Sequence, residues 1–307
     1  MQARTICSRL LRLLRGGALE GTVLSAFDHA VNVDTPAGLV SLLTGGRSLQ
    51  PYAVVTGAAR FAPFGFAPGA PARLTERTLA VGGVAVALEG AQETDLSIAR
   101  ALGRASHGGA EKERPPSLDP APLLSALAPG GDGLAALVTR EEANVYAAFL
   151  RPRLPQLFAA VAAGEAAQAG EAAAAIAGCG VGLTPSSDDL LTGYMAMLHA
   201  LSAIGVLGDV VPVTRAIASR AAQRTNRISG AFLLHSGEGY VSEDVLRLLA
   251  LLCSGADGQR VRDAAARVAA FGSTSGSDIL TGIVLAIIHH DGGKNSGKAG
   301  NQKERLL

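Results

Sequence analysis

The chain has 307 residues, which is enough for two domains with cores of their own. Its net charge of +1, its 17% of charged residues and its lack of tryptophan exclude a strongly basic, aromatic-rich surface for nucleic acid. Three cysteines, Cys7, Cys179 and Cys253, fit neither a disulfide framework nor a zinc site, and indicate a reducing compartment.

The N-terminal residues 1–15 mix arginines with leucines and predict a short amphipathic helix rather than a secretory signal. Further along the chain, polar or charged residues interrupt every apolar run before it is long enough to span a bilayer. We therefore expect a cytoplasmic protein that does not bind membranes.

Residues 20–90 carry short apolar runs separated by turn formers, which is typical of β-strands. The strand candidates are residues 22–27, 30–33, 39–43 and 52–55, followed by a strand or hairpin at 79–88. They predict a small antiparallel barrel or sandwich within a β-rich domain of residues 1–102. The polar, breaker-rich residues 103–122 predict a flexible linker.

From residue 123 the pattern becomes helical. The helix candidates are residues 141–150, 154–177 with a break near Gly164 or Gly170, 190–206, 213–223, 228–236, a helix from Ser242, 257–271, and a last helix that ends at His289-His290. These helices form a domain of residues 123–290, and residues 291–307 predict a disordered tail. The predicted fold class is α+β, a small β-rich N-terminal domain followed by a mainly α-helical C-terminal domain.

Two similar glycine/serine loop–helix motifs occur in the helical domain. The first has glycines at 178, 180 and 182 and then reads Leu-Thr-Pro-Ser-Ser-Asp-Asp-Leu-Leu-Thr-Gly over 183–193. The second reads Ser-Gly-Ser-Asp-Ile-Leu-Thr-Gly over 275–282, with the aspartate and the Leu-Thr-Gly in the same register. We interpret the motifs as two halves of one core, whose polar loops can meet at one end of it.

The first motif has the composition of an anion site at a helix start. Its glycines allow tight turns, Ser186 or Ser187 suits the N-cap, and free N–H groups converge there. The motif is not a Walker loop, because the Gly-Lys-Ser/Thr ending is missing. It is not a dinucleotide-binding fingerprint either, because the glycine spacing and the preceding strand are missing. The expected ligand is phosphate, carbamoyl phosphate or a carboxylate.

Asp188 and Asp189, in the first turn of that helix, would repel a bare anion. Mg²⁺ would resolve the conflict because it takes one or two carboxylates plus substrate oxygens, and Asp278 of the second motif is the natural third carboxylate. Ordinary helix capping is the alternative explanation. The doubling of serines and aspartates, which one cap does not need, favours a functional site.

A third polar cluster lies between the motifs, around residues 224–229. Arg224 and Arg227 are three apart, can share a helical face, and suit a carboxylate or phosphate. The alternative is a helix junction capped by Thr225 or Asn226, with both arginines in solvent.

Other candidates are weaker. His199 is expected to be a satisfied core residue, His235 is the best acid–base candidate among the histidines, and Cys179 is expected to be a small buried residue rather than a nucleophile.

The candidate site residues come from the two motifs and the third polar cluster. The catalytic candidates are Asp188, Asp189 and Asp278; the substrate-binding candidates are Gly180, Gly182, Thr184, Ser186, Ser187, Arg224, Thr225, Arg227, Ser229, Ser275 and Ser277; and the metal-ligand candidates are Asp188 and Asp189.

The first motif resembles the hallmark of the AllH family, Gly-x-Gly-x-Gly-Leu-Thr-Pro-Ser-Gly-Asp-Asp, with Ser187 in place of the usual glycine. The residues Thr225, Ile228, Ser229, Phe232 and Leu233 resemble a second block of that family, and residues 21–27 resemble how its members begin. One branch of the family is associated with the oxamate carbamoyltransferase complex of allantoin breakdown. The resemblance implies carbamoyl transfer to or from a small acid such as oxamate, together with partner subunits.

The predicted function is therefore a carbamoyltransferase-like enzyme or enzyme subunit that acts on a small anionic substrate. The alternatives are a non-catalytic binding or assembly subunit and a phosphotransferase. The last is weakened because no lysine lies near the glycine loop to meet a phosphate.

Overall fold

The computed structural model describes residues 1–103, 118–127, 133–139 and 141–294, the last four of these as backbone only. The chain forms two compact units, Met1–Leu96 with Val241–Glu243, and Ser97–Tyr240 with the chain from Asp244 onward. Residues 104–117 of the predicted linker and 295–307 of the predicted tail lie outside the described residues, so both remain predictions.

The first unit is built on one mostly antiparallel sheet. Its strands are β1 Ala3–Cys7, β2 Leu19–Ala26, β3 Ala30–Thr35, β4 Gly38–Leu43, β5 Ala53–Thr56, β6 Pro71–Leu74, β7 Thr78–Val81, β8 Val84–Ala87 and β9 Gln92–Thr94. Their order is β8-β7-β6-β2-β3-β4-β5-β1-β9, with β4/β5 and β1/β9 parallel. A bridge between Gln2 and Ala87 links the start of β1 to the end of β8, so the sheet curls back on itself.

Most strand predictions agree with the sheet. The segment at 79–88 is the β7/β8 hairpin, whose turn residues Gly82 and Gly83 have φ values of 55° and 84°. Positive φ at both central positions is the requirement of a type I′ turn. The β-rich N-terminal domain is confirmed.

The amphipathic helix predicted over residues 1–15 is only half correct. The helix α1 occupies Ser8–Arg15, whereas the residues before it form strand β1 between β5 and β9. Ile6 and Cys7 are 1% and 0% exposed. Pairing with two neighbouring strands and burial therefore decide the conformation of this short segment, which the leucine–arginine pattern alone does not show.

The second unit is helical, which confirms the α+β fold class. Its helices are α2 Ile98–Gly103, α3 Ala121–Leu124, α4 Val145–Leu150, α5 Leu154–Ala163, α6 Ala166–Ala174, α7 Ser186–Ala203, α8 Val211–Ala222, α9 Arg227–Gly237, α10 Glu243–Cys253, α11 Gly258–Ala269 and α12 Ser275–Lys294. The break between α5 and α6 falls at Gly164, which is left-handed with φ of 71°. In the described ranges, no helix is long and apolar enough to cross a bilayer.

The last helix, α12, continues beyond its predicted end at His289-His290. The ring of His289 stacks on Phe158 with centroids 5.0 Å apart, and its Nδ1 lies 3.0 Å from the hydroxyl of Tyr194. Packing against α5 and α7 therefore fixes α12 at His289, next to the predicted end, and the backbone continues as a helix to Lys294.

Two glycines set how α7 and α12 cross. A Cβ atom on Gly193 would lie 2.0 Å from the carbonyl oxygen of Ile279, and a Cβ atom on Gly282 would lie 2.0 Å from that of Leu190. Each glycine is the eighth residue of its helix, and Leu190 and Ile279 are equivalent in the two motifs. The crossing is thus locally two-fold symmetric, and it places the first turns of the two helices side by side.

Candidate functional site

The first glycine loop folds back over the start of α7. Ser187 fixes it twice, since its N–H donates to the carbonyl of Cys179 at 2.9 Å and its hydroxyl accepts from the Cys179 N–H at 2.9 Å. The residue at the N-cap is Pro185, which makes no side-chain cap. The predicted serine cap is therefore wrong, because the serines lie inside the first turn and Ser187 holds the loop.

The loop needs glycine where it approaches the helix. Gly178, Gly180 and Gly182 have φ values of 76°, 133° and 93°, a region that favours glycine. A Cβ atom on Gly180 would also lie 2.4 Å from the backbone nitrogen of Ser186. The N–H groups of residues 180–184 donate no hydrogen bond to any described residue, so they remain open to a ligand.

Asp188 connects the glycine loop to the N-terminal end of α9. Its Oδ1 atom accepts from the Gly178 N–H at 2.8 Å and from the Ser187 hydroxyl at 3.4 Å, and its Oδ2 atom accepts from the hydroxyls of Thr225 and Ser229. A carboxylate has about four lone-pair sites, so these contacts use its acceptor capacity. Asp188, which is 1% exposed, holds three segments together and offers little to a substrate or metal ion.

The third polar cluster is a helix junction. Asn226 caps α9 by accepting from the N–H groups of Ile228 and Ser229, and its amide donates to the carbonyl of Leu183 at 2.9 Å. Arg224 follows the end of α8 and Arg227 begins α9, and both are exposed. The prediction that the arginines share a helical face is therefore wrong, because the chain turns between them.

The two motif loops lie in direct contact. The hydroxyl oxygens of Thr184 and Ser275 are 2.9 Å apart, and both side chains lie near enough to Asp189 to lower the pKa of its carboxyl. In the reciprocal arrangement, Ser186 at the start of α7 lies near Asp278 and lowers the pKa of that carboxyl. Each carboxylate thus reaches the first residue of the other helix, as the two-fold crossing requires. The second motif's other serine, Ser277, donates its hydroxyl to the Thr274 carbonyl at 2.7 Å.

Asp189 and Asp278 are buried, with exposures of 5% and 0%. Burial raises the pKa of Asp278 to about 6, although hydrogen bonds from Leu134, Ser186 and Thr274 act in the opposite direction. Burial also raises the pKa of Asp189 well above its usual range, and the neighbouring carboxylates of Asp278 and Asp188 add to the increase. No described residue donates to Oδ2 of Asp189 or to Oδ2 of Asp278.

Comparison with known proteins places this geometry in a family. Residues 176–287 match the family model described as oxamate carbamoyltransferase subunit AllH, and residues 2–93 match the AllH family N-terminal domain. The chain belongs to the AllH family. No curated protein and no solved structure matches it. The first match spans both loop–helix motifs, so Asp188, Asp189 and Asp278 all lie within the AllH region.

One part of the candidate site, around Leu134, is almost without signal in the sequence. The backbone N–H of Leu134 donates to Oδ1 of Asp278 at 2.6 Å, and Asn144 donates its side-chain amide to the carbonyl of Gly133 at 2.7 Å. A Cβ atom on Gly133 would lie 2.7 Å from the same carboxylate oxygen. The glycine is the single hint in the sequence, since a close approach requires it, but nothing there identifies the partner.

The weaker candidates have structural explanations. His199 is buried, and its Nε2 lies 3.2 Å from the Gly237 carbonyl and 3.1 Å from the Thr214 hydroxyl, as expected for a satisfied core residue. Cys179 is half-buried, and burial together with nearby Asp188 raises its pKa, so its thiol is a poor nucleophile at neutral pH. His235 lies in the last turn of α9.

The raised pKa of Asp278 predicts a pH-dependent stability. Its folded-state pKa of about 6 exceeds the ordinary value of 3.8, so the folded state binds more protons between these values and stability is lost as the pH rises through 6. Asp278→Asn removes this dependence. Between pH 4 and pH 7.5, the unfolding free energy of the variant should therefore rise relative to wild type by roughly 2.5 kcal/mol.

Urea denaturation followed by circular dichroism, with chelator present, measures this difference at each pH. Asp257→Asn is the matched control, because it makes the same substitution at an exposed helix cap outside the loop contact. A constant difference between Asp278→Asn and wild type across this range would contradict the raised pKa.

Proposed function

We propose that the chain is a subunit of a carbamoyltransferase complex, and that it binds carbamoyl phosphate and a small acid such as oxamate where the two motif loops meet. The 2.9 Å contact between the hydroxyls of Thr184 and Ser275 carries the proposal, because it joins the two polar loops into one site. The family description, oxamate carbamoyltransferase subunit, supports the substrate class and the need for partner subunits.

The site offers several donors to a phosphate group. The open N–H groups of residues 180–184 precede α7, and α7 and α12 are 18 and 20 residues long, so both carry substantial dipoles with positive N-terminal ends. Two such ends lie side by side at the loop contact. We assign the phosphate of carbamoyl phosphate to this glycine loop.

The acceptor acid needs a different contact. Arg224 is exposed beside the loop, since a Cβ atom on Gly178 would lie 2.7 Å from its carbonyl oxygen. A guanidinium binds a carboxylate through two parallel hydrogen bonds. We assign the carboxylate of oxamate to Arg224, with the half-buried hydroxyls of Thr184 and Ser275 as the nearest donors for its amide.

The carbamoyl transfer needs no reactant other than carbamoyl phosphate and oxamate. The amide nitrogen of oxamate attacks the carbamoyl carbon, a C–N bond forms, and the bond from that carbon to the phosphate oxygen breaks. The amide proton leaves with the departing phosphate. The chain contributes by holding both reactants with the attacking nitrogen close to the carbamoyl carbon, which lowers the barrier because the reactants no longer lose their translational and rotational freedom in the reacting step.

A thermal-shift experiment with the isolated chain tests the proposal. Carbamoyl phosphate at about 100 times its dissociation constant should add about 2.7 kcal/mol to the unfolding free energy. Thr184→Val replaces the hydroxyl at the loop contact with a methyl group. It should lower the affinity for carbamoyl phosphate at least about tenfold, which is the effect of losing one hydrogen bond of about 1.4 kcal/mol. Arg224→Gln should lower the affinity for oxamate more than the affinity for phosphate.

Ser254→Ala is the matched control, because its hydroxyl is exposed at the end of α10 and binds only the Leu251 carbonyl. The control should bind as wild type does. Equal affinity of Thr184→Val and wild type for every ligand would place the substrates elsewhere.

The assembly subunit is the second candidate. Val181 and Leu183, on the glycine loop, are 66% and 48% exposed, and Phe271, at the start of the second loop, is 36% exposed. Apolar side chains around a polar site are typical of a surface that a partner covers. If neither carbamoyl phosphate nor oxamate stabilises the isolated chain, while Leu183→Ser abolishes assembly with a partner subunit, the results favour the assembly subunit.

A further inference from the structure

Two buried oxygens at the loop contact have no donor. Oδ2 of Asp189 and Oδ2 of Asp278 are both shielded from solvent and make no hydrogen bond with any described residue. A buried carboxylate oxygen without a partner is strongly destabilising, and two neighbouring carboxylates also repel each other. A cation that binds both oxygens would relieve the missing hydrogen bonds and the repulsion together.

In the part of the chain that the structure describes, the side-chain groups that act on these two carboxyls are hydroxyls and other carboxylates. Thr184 and Ser275 contribute hydroxyls to Asp189, and Ser186 and Thr274 contribute hydroxyls to Asp278. In the described ranges, neither carboxylate forms an ion pair or a hydrogen bond with Lys, Arg or His. Carboxylate and hydroxyl oxygens without nitrogen or sulfur suit a hard divalent cation.

We propose that Asp189 and Asp278 together bind one Mg²⁺ ion through their unpartnered Oδ2 atoms. This inference rests on the proposed function, because the ion would reconcile two carboxylates with a phosphate-bearing substrate. The described residues contain no group of three or more acidic, histidine or cysteine ligands. Mg²⁺ tolerates this, since it commonly keeps several waters and takes one or two carboxylates plus substrate oxygens.

The pair differs from the one that the sequence suggests. Asp188 and Asp189 are adjacent in the chain, but Asp188 already accepts four hydrogen bonds from the loop and from the α9 region. Asp278, 89 positions after Asp189, has the unused oxygen instead. The metal site therefore draws one ligand from each motif, at equivalent positions of the two-fold crossing.

Mn²⁺ titration followed by electron paramagnetic resonance tests the site on the whole chain without substrate. We expect one Mn²⁺ per chain at pH 7.5, displaced by Mg²⁺. Asp189→Asn and Asp278→Asn should each weaken Mn²⁺ at least about tenfold, whereas Asp257→Asn, a change at an exposed helix cap, should not. Circular dichroism confirms that each variant is folded. If one of the two variants is unfolded, the Mn²⁺ affinity of the other variant and the displacement of Mn²⁺ by Mg²⁺ still test the site.

Three outcomes overturn the proposal. These are no bound Mn²⁺ in wild type, unchanged affinity in both asparagine variants, or a protonated carboxyl stretch in the infrared spectrum at pH 7.5 that persists in excess Mg²⁺ and is absent from Asp278→Asn. The last would show that the pair shares a proton. Failure here is separable from failure of the proposed function. Carbamoyl phosphate binding in the presence of chelator would support the proposed function and contradict the need for an ion. Mn²⁺ binding without any substrate binding would support the metal site and contradict the proposed function.

Discussion

Gly282→Ala is expected to lower the free energy of unfolding by about 4 kcal/mol, or to prevent folding. An alanine in a helix interior is ordinarily more favourable than glycine by about 1 kcal/mol. Here the added Cβ would lie 2.0 Å from the carbonyl oxygen of Leu190 and 2.7 Å from the backbone nitrogen of Tyr194. Backbone atoms of a buried helix cannot move away as the end of a side chain can, so α7 and α12 must separate.

Gly208→Ala is the matched control for this effect. No atom lies within 4 Å of a Cβ built on Gly208, and its φ is not in the left-handed region. The control should change stability by less than about 0.5 kcal/mol. Urea denaturation followed by far-ultraviolet circular dichroism compares the two variants, and equal midpoints would show that the helices do not cross as closely as described.

The same crossing shows what the sequence predicts well. The register match of Asp189 with Asp278, and of Gly193 with Gly282, is visible in the sequence because both helices carry the same motif. A glycine at the eighth position of two buried helices is a local signal of close packing. From this repeat one can predict that the helices form equivalent halves of one core, which the reciprocal contacts with Leu190 and Ile279 match.

The sequence does not distinguish Asp188 from Asp189. The residues are adjacent and chemically identical, and both lie in the first turn of α7. Successive side chains on a helix point about 100° apart, so one of them faces the glycine loop and the other faces α12. Which aspartate faces the loop and which faces α12 depends on their partners Ser229 and Ser275, which follow much later in the chain. Contacts at such separations leave no periodic signal.

The N-terminal strand illustrates the same limit. Residues 3–7 become β1 because β5 and β9 lie on either side, and β9 pairs with it in parallel from about 90 residues away. A five-residue segment has too few positions for its periodicity to separate strand from helix. The turn glycines of the β7/β8 hairpin, in contrast, are a local signal, and the prediction there is correct.

Asp188→Ala is expected to lower the free energy of unfolding by about 4 kcal/mol, since it leaves one buried and two half-buried donors without their acceptor, at about 1–3 kcal/mol for each donor that water cannot reach. The donors are the N–H of Gly178 and the hydroxyls of Thr225 and Ser229. Asp188→Asn should cost about half as much, because the amide keeps one acceptor oxygen and the two hydroxyls can rotate. Urea denaturation at pH 7.5 with chelator measures both changes.

Asp189→Asn, at the next residue, is the contrasting variant. Its carboxylate is buried with one unpartnered oxygen beside other carboxylates, so removing the charge in the absence of a cation should leave stability unchanged within about 0.5 kcal/mol or increase it. Adjacent aspartates would thus give opposite results from the same substitution. Asp188 stabilises the loop whether or not a ligand is present, whereas Asp189 contributes only when the site is occupied. Equal losses from Asp188→Asn and Asp189→Asn would mean that both carboxylates serve the fold, which is the result that ordinary helix capping predicts.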